Sequence, residues 1–266
     1  MFLKSYDDMM YGAIIGDLAG SIYEYSQIKE IKNIVINNVI EDNSFYSDDT
    51  ILTIAILDCI VNKSKDYGKY LKEYVNKYSN YKPDFSPYFK TSFSPGMIKW
   101  AKGNYIGTSC GNGAMMRISP VGYMFDTESD VIKNAYLATI PSHNSEESIE
   151  CATKIALIIY YLRKGLTKEE IYKKLNIKLN YQPFTNFNVT CSETIDNCLY
   201  AFYHSTSFED AIRKTILMGG DTDTNACIVA SISEALYKID DDLIEKANKK
   251  LPEEFKKVLS KTYTLK

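Results

Sequence analysis

The stretch that decides the fold is GGDTDTNACIVASISEALYKI, residues Gly219–Ile239, in which two glycines and two aspartates precede a long apolar run. The run places apolar residues at spacings of three and four, which is the period of an α-helix. Asp and Thr are favourable at a helix start because they cap free N–H groups, and a carboxylate there gains about 0.3–1 kcal/mol from the helix dipole. The segment therefore predicts a helix that begins at an acidic turn, and capping alone would account for both aspartates.

The same helical period recurs along the chain, in MMYGAIIGDLAGSIYEY, TILTIAILDCIV, DVIKNAYLATI, EESIECATKIALIIYYLRKG, SETIDNCLYAFYHS and FEDAIRKTILM. Residues 31–41, IKNIVINNVIE, are rich enough in β-branched residues for an extended segment, but one short strand does not build a sheet. Prolines and glycines predict loops at 82–96, 103–113 and 180–188. We predict an all-α protein in which residues 1–266 form one domain, because no stretch is long or polar enough to be a flexible linker.

Composition limits the class of protein. The chain has 266 residues, 45% of them apolar, which is enough to bury a continuous core. Lys and Arg total 31 against 34 Asp and Glu, so the formal charge of -3 gives no reason to expect nucleic acid or an anionic membrane as a partner. The six cysteines contain no C-x-x-C pair, which argues against a zinc ribbon or a thioredoxin-like site. The sequence shows no signal-peptide pattern, and its longest apolar run is shorter than the roughly 20 residues that span a membrane. We therefore expect a cytoplasmic protein. We expect a monomer as the simplest assembly.

A second acidic helix start, SDDT at Ser47–Thr50, changes the interpretation of GGDTDT. If the two helix starts face each other, four aspartates share a small volume, and each pair of charges costs roughly several kcal/mol at an effective dielectric of about 20. Divalent cations would remove that cost, and carboxylate and hydroxyl oxygens suit hard ions such as Mg²⁺ or Mn²⁺ rather than zinc. The candidate oxygen donors, enough for two ions with room for water and substrate, are Ser47, Asp48, Asp49, Asp221, Asp223 and Thr224.

Two glycine-containing motifs accompany the acidic ones. GAIIGDLAGSIYE, Gly12–Glu24, has three glycines spaced four apart, which is typical of close helix packing, and Asp17 and Glu24 would share the glycine face and point inward. A buried acid needs a partner or a function. GNGAMMR, Gly111–Arg117, has glycines dense enough for backbone N–H groups to approach a phosphate, with a helix start after them. The pattern also fits an ordinary turn, because it lacks the P-loop lysine and the G-x-G-x-x-G spacing.

Five motifs in order, running from about Gly12 to Ala235, resemble those of the ADP-ribosylglycohydrolases, the family of the dinitrogenase reductase-activating glycohydrolase. The motifs are G-A-x-x-G-D-x-x-G-S-x-x-E, S-D-D-T, S-C-G-N-G-A-M-M-R-x-x-P-V-G, S-H-N-x-x-E and G-G-D-T-D-T. The resemblance implies a compact all-α orthogonal helical bundle whose central cleft holds a binuclear Mg²⁺ centre, with Mn²⁺ as the other candidate ion. It also implies hydrolysis of the glycosidic bond between ADP-ribose and a modified protein side chain or a small-molecule acceptor.

By match to the family's motifs, the six oxygen donors named above correspond to the metal ligands, and Glu24 to a mobile acid that closes over the site. The segment that matches the family's lining of the diphosphate and distal ribose contains Gly107, Ser109, Cys110, Gly111, Asn112 and Gly113. His143 matches a histidine near the cleft, and its role stays open. Cleavage at the distal ribose passes through an oxocarbenium-like transition state, which needs acids to manage protons and negative groups to stabilise charge. The candidate catalytic acids are Glu24, Asp48, Asp49 and Asp223, and the choice of general base among the aspartates stays open.

Two departures from the family pattern bear on specificity. Ser47 stands where many relatives have Thr, which keeps a hydroxyl oxygen, and Cys110 replaces a frequent Tyr in the substrate loop. Arginine-, serine- and other-linked ADP-ribose all remain candidate substrates. Two other functions stay open: a Mg²⁺-dependent nucleotide phosphoesterase, which would release AMP or phosphate, and a non-catalytic ADP-ribose-binding protein. The second is disfavoured because binding alone does not require Glu24.

Overall fold

The computed structural model describes residues 10–24, 34–83, 92–182, 184 and 187–264. Within these ranges the chain forms fourteen α-helices and a terminal 3-10 helix, with no β-strand, so the all-α prediction is confirmed. No helix in this part of the chain combines the length and apolar character needed to cross a bilayer. The helices are α1 Gly12–Ser21, α2 Asp48–Val61, α3 Tyr67–Tyr78, α4 Pro95–Lys102, α5 Gly113–Met116, α6 Ser119–Met124, α7 Glu128–Thr139, α8 Glu146–Arg163, α9 Lys168–Lys174, α10 Cys191–Tyr203, α11 Phe208–Met218, α12 Thr222–Ser233, α13 Asp241–Lys250 and α14 Glu253–Ser260, followed by the 3-10 helix Lys261–Thr264.

Helices α1 and α12 form the centre of the fold, and every residue of both is buried. They pack backbone to backbone: a Cβ built on Gly12, Gly16 or Gly20 would lie 2.5, 2.2 or 2.2 Å from a carbonyl oxygen of α12. Real Cβ atoms essentially never come within 3.0 Å of another heavy atom in this way, so these positions require glycine. The Thr222 hydroxyl adds a hydrogen bond of 2.9 Å to the carbonyl of Gly20. The interpretation of the glycine stripe as a packing surface is confirmed.

The helix expected to carry both Asp17 and Glu24 is shorter than its apolar pattern indicates. α1 ends at Ser21, because the N–H groups of Ile22 and Tyr23 both bond to the carbonyl of Gly20 and close a turn. Glu24 lies in that turn, so the inference that the two acids share a helical face is wrong for Glu24. Its carboxylate nevertheless points toward the acidic cluster described below.

The predicted extended segment and loops are only partly within the described chain. Residues 34–41 have no regular secondary structure, and residues 103–112 form the loop that was expected there. α4 begins at Pro95, inside the predicted 82–96 loop, because proline is favourable in the first turn of a helix and Ser94 caps the N–H of Met97. The parts of the predicted segments that lie outside the described residues are 31–33, 84–91, 183, 185 and 186.

Candidate active site

The two acidic motifs, SDDT and GGDTDT, lie at the starts of α2 and α12, and the packing of α1 brings these helix starts together. Carboxylate oxygens of Asp17, Asp49 and Asp223 lie within 4.8 Å of one another, and so do those of Glu24, Asp221 and Asp223. Because Asp223 belongs to both groups, the five side chains form one continuous cluster. We call these residues the acidic cluster.

Asp17 fixes the start of α2. Its Oδ2 accepts hydrogen bonds from the backbone N–H of Ser47 at 2.9 Å and from the N–H and hydroxyl of Thr50 at 3.0 and 2.6 Å. Its Oδ1 accepts the Ser47 hydroxyl at 2.8 Å. One fully buried carboxylate on α1 therefore satisfies two of the free N–H groups at the beginning of α2 and sets the position of the SDDT motif.

The paired glycines of GGDTDT shape the turn before α12. Gly219 and Gly220 have φ of 80° and 75°, which favours glycine, and a Cβ on Gly220 would lie 2.0 Å from Oδ1 of Asn188. That same oxygen accepts the backbone N–H of Asp221 at 2.8 Å, while Asn225 Nδ2 donates to the Gly219 carbonyl at 3.2 Å. The turn is thus held by two buried asparagines, and it places Asp221 at the N-cap position of α12.

Hydroxyl groups connect the two helix starts. The Thr224 hydroxyl lies 3.3 Å from Oδ2 of Asp49, and the Ser47 hydroxyl lies 3.0 Å from the same oxygen. The N–H of Thr224 bonds to Oδ1 of Asp223 at 2.8 Å, and the N–H of Asp49 bonds to the Ser47 hydroxyl at 3.2 Å. These contacts and the acidic cluster bring together five of the six oxygen donors proposed from the sequence, and the sixth, Asp48, lines the cleft beside them.

Burial and mutual repulsion raise the pKa of the acids. Burial first and the Asp223 charge second raise the pKa of Asp17 from 3.8 to about 7. The same two causes, in the same order, raise the pKa of Glu24 from 4.5 to about 12. The other acids whose pKa burial raises, with neighbouring carboxylates adding to the effect, are Asp48, Asp49, Asp221 and Asp223.

The acidic cluster fits a divalent cation. Oδ1 of Asp49 and Oε2 of Glu24 are buried and accept a hydrogen bond from no described residue. A buried, unbonded carboxylate oxygen is unfavourable, and no lysine or arginine is among the described residues that line the cleft above the cluster. Carboxylate and hydroxyl oxygens are the donors that hard ions take.

The cleft has a volume of about 530 Å³. Its lining includes both the acids and the loop 109–113. The candidate site residues that line it are Glu24, Asp48, Asp49, Ser109, Cys110, Gly111, Asn112, Gly113, His143, Asp221, Asp223 and Thr224.

Two candidate residues lie outside that lining. Ser47 lies beneath the cleft, where its hydroxyl is bonded to Asp17 and to the N–H of Asp49. Gly107 lines an adjoining hollow of about 220 Å³, and a Cβ there would lie 2.4 Å from the carbonyl oxygen of Ser142. Gly107 thus allows two loops to pack closely and does not contact the main cleft.

The loop 109–113 is clamped on both sides. Isolated β-bridges pair Thr108 with His143 and Gly111 with Thr190, and Asn112 donates to Oδ2 of Asp221 at 2.7 Å. The N–H groups of Cys110 and Gly113 bond to no acceptor among the described residues. The loop therefore holds Asn112 against the acidic cluster and leaves backbone donors available for an anionic ligand.

The helix expected after this loop is only four residues long. α5 ends at Met116, because Pro120 lacks the N–H that a continued helix would need and lies instead in the first turn of α6, which begins at Ser119. A helix this short has little dipole, so anion binding here depends on the individual N–H groups of the loop.

Sequence reasoning missed part of the cleft lining. Met97 lies in α4 and Met116 in α5, and the others lie outside the helices. Composition alone marks none of the missed residues, which are Ser92, Phe93, Ser94, Met97, Met116, Phe187, Val189 and Thr190. Phe187 and Val189 are 44% and 51% exposed, which is unusual for apolar side chains next to a charged cleft. Both line the cleft, so part of its lining is apolar and open to solvent.

Comparisons with known proteins agree with this geometry. A family model described as ADP-ribosylglycohydrolase matches residues 3–265. The ADP-ribosylarginine hydrolase Tri1 of Pseudomonas putida (strain GB-1) is 22% identical over 262 residues, which cover 86% of this chain and 70% of that protein. A protein of Acanthamoeba polyphaga mimivirus, named as a candidate ADP-ribosyl glycohydrolase, is 26% identical over 286 residues and covers 85% of this chain and 84% of its own length.

The fold is shared with a solved structure as well. A chain of an ADP-ribosylglycohydrolase-related protein complex superposes with a TM-score of 0.72 over 98% of this chain and 99% of its own, at 18% identity. At that identity the likeness establishes the fold.

Proposed function

This chain belongs to the ADP-ribosylglycohydrolase family and is a glycohydrolase, and from that premise we propose that it is a Mg²⁺-dependent enzyme that frees ADP-ribose from a modified protein side chain or a small-molecule conjugate. The observation that carries the proposal is the acidic cluster on the cleft floor, with its buried and unbonded oxygens on Asp49 and Glu24. No lysine or arginine among the described residues of the lining offsets these carboxylates, which supports a cation as their partner.

The residues proposed to hold two divalent ions are Ser47, Asp48, Asp49, Asp221, Asp223 and Thr224. When bound, the ions supply positive charge that orients the ribose hydroxyls and lowers the pKa of a water. Mn²⁺ has the same preference for oxygen donors and is expected to substitute.

The chain's own acids are proposed to carry the proton transfers and the charge stabilisation. A positive charge develops on the distal ribose as the glycosidic bond breaks. Asp48, Asp49 and Asp223 all line the cleft, and their carboxylates would stabilise that charge. One of these three would act as general base toward water. Glu24, in the turn after α1, would position the reacting groups from the edge of the cluster.

The loop 109–113 is proposed to bind the diphosphate and distal ribose. The N–H groups of Cys110 and Gly113 are available donors, and Asn112 links the loop directly to Asp221. This linkage keeps the phosphate-binding and bond-breaking parts of the cleft at a fixed separation, so the glycosidic bond would be held over the acids.

Product analysis tests the proposal. The protein is incubated with arginine-linked and serine-linked ADP-ribose, with Mg²⁺ or with EDTA, and the products are identified by mass spectrometry. Free ADP-ribose that forms only with Mg²⁺ is the expected result. Release of AMP or phosphate would instead indicate a phosphoesterase, and tight binding of ADP-ribose without turnover would indicate a binding protein.

A further inference from the structure

Arg117, directly after α5, is a buried cation beneath the loop 109–113. Its side chain is 1% exposed, its Nη1 is buried with no partner among the described residues, and its Nη2 donates to the Ser142 hydroxyl at 2.6 Å. Nη2 also lies 3.3 Å from Nδ1 of His143. Burying a guanidinium without a carboxylate partner is unfavourable, so a residue kept in this state calls for a reason beyond packing.

The hydrogen bonds around Ser142 determine where His143 carries its proton. The Ser142 hydroxyl oxygen lies 2.7 Å from Nδ1 of His143 and accepts a hydrogen bond from Arg117, so its own hydrogen is free to be donated to Nδ1. A proton on Nδ1 would face the N–H groups of Arg117 and would leave the Ser142 hydroxyl without an acceptor among the described residues. Nδ1 is therefore an acceptor, and a neutral ring must carry its hydrogen on Nε2.

The opposite nitrogen of His143 faces the substrate loop. A Cβ built on Gly111 or Gly113 would lie 3.6 or 3.4 Å from Nε2 of His143, so a side chain at either position would pack against this nitrogen. The ring is 4% exposed and is among the residues that line the cleft. No described residue accepts a hydrogen bond from Nε2. The ring thus offers one donor to the cleft.

We infer that Arg117, acting through Ser142, is a positioning residue that keeps the proton of the neutral His143 ring on Nε2. His143 thereby presents a hydrogen-bond donor to an oxygen of bound ADP-ribose. The identity of the ligand rests on the proposed function, whereas the state of the ring does not. Burial first, and the charge of Arg117 second, hold the pKa of His143 well below 6.5, which agrees with a neutral ring. The other titratable groups that act on this pair are Cys191 and Asp48, both through Arg117.

Nuclear magnetic resonance of the histidine rings tests the inference directly, because the chain has only two histidines, His143 and the exposed His204. The Mg²⁺-loaded protein is labelled with ¹⁵N in its histidine rings and titrated from pH 5 to pH 8, and a His204→Gln variant assigns the signals. We expect His143 to show the Nε2–H pattern unchanged over the whole range. A proton on Nδ1, or a titration with a midpoint near 6.5, would overturn the inference.

Addition of ADP-ribose then tests the donor role. We expect the Nε2 and attached proton signals of His143 to shift, with the Nδ1 signal nearly constant. If calorimetry shows binding and these signals do not move, the donor role is wrong while the proposed function stands. If ADP-ribose does not bind at all, the proposed function fails, and the pH series still decides the state of the ring.

An Arg117→Met variant, which keeps the side-chain length and removes the charge, tests the positioning role. Burial still keeps the ring neutral in this variant, but the Ser142 hydroxyl no longer accepts from Arg117 and can accept from Nδ1 instead. The His143 ring is therefore expected to show a share of the Nδ1–H form, and KM is expected to rise. Arg213→Met, at a surface ion pair with Glu209, is the matched control and should leave both readouts unchanged. A folded Arg117→Met protein with an unchanged ring signal would contradict the positioning role. If the variant does not fold, the spectrum of the unsubstituted protein still decides the tautomer.

Discussion

Replacing Asp17 by Asn removes one negative charge from the acidic cluster while keeping most of the hydrogen bonds that hold α2. The amide oxygen of Asn can take the place of Oδ2, which accepts three of the four donors from Ser47 and Thr50. The amide nitrogen then faces the Ser47 hydroxyl, which can accept from it. Asp17→Asn should therefore fold with α2 in place.

The size of the effect follows from the pKa of Asp17. Because burial and the Asp223 charge raise that pKa from 3.8 to about 7, the folded protein holds this proton more tightly than the unfolded chain does. The stability it contributes is complete below pH 3.8 and is lost as the pH rises to about 7. At about 1.4 kcal/mol per pH unit, the metal-free protein should lose about 2–3 kcal/mol through Asp17 between pH 5 and pH 8. Asp17→Asn should lack this part of the loss.

Urea denaturation of the EDTA-treated protein at pH 5 and pH 8 measures the difference. We expect the drop in the free energy of unfolding to be smaller by about 2–3 kcal/mol in Asp17→Asn. The exposed Asp242→Asn is the matched control and should follow the parent protein. Parallel curves for Asp17→Asn and the parent protein would refute the reasoning, because they would mean that Asp17 is not held protonated by its neighbours.

Three further predictions concern the site and its support. Asp49→Ala and Asp221→Ala should abolish turnover and weaken Mg²⁺ binding while circular dichroism still shows the helices; full activity in either would remove that residue from the metal site. Glu24→Ala should slow kcat with Mg²⁺ affinity retained in calorimetry, whereas a variant that fails to fold would indicate a structural role. Gly16→Ala places a Cβ 2.2 Å from a carbonyl oxygen of α12 and should lower the free energy of unfolding by at least about 1–3 kcal/mol. The control is Gly96→Ala, whose Cβ would meet nothing closer than 3.9 Å and which should change that free energy little. Equal urea midpoints for the two variants would contradict close α1–α12 packing.

The helices and the acidic residues at their starts could be predicted because both are local properties of the sequence. Apolar spacing marks α2 and α12, and the glycines of α1 mark the packing surface between α1 and α12. The convergence of SDDT with GGDTDT was inferred from their shared pattern, and the resemblance to a family gave the rest of the site.

Contacts between distant segments could not be predicted in this way. Asn188 accepts the N–H of Asp221 from a loop 33 residues earlier, and nothing in its neighbourhood distinguishes it from other loop asparagines. Arg117 looks like an ordinary residue at the end of a short helix, yet the fold buries its guanidinium against Ser142. Glu24 reached the acidic cluster from a turn and not from a helix, because hydrogen bonds to Gly20 ended α1 early.

Counting bound Mn²⁺ ions by electron paramagnetic resonance tests the central claim most directly, since the acidic cluster is proposed to exist in order to hold divalent ions. The parent protein should bind two ions saturably. Asp223→Ala should lose this binding, because Asp223 belongs to both groups of carboxylates. A parent protein that binds no Mn²⁺ at millimolar concentration, or an Asp223→Ala variant that binds it as well as the parent does, would contradict the account.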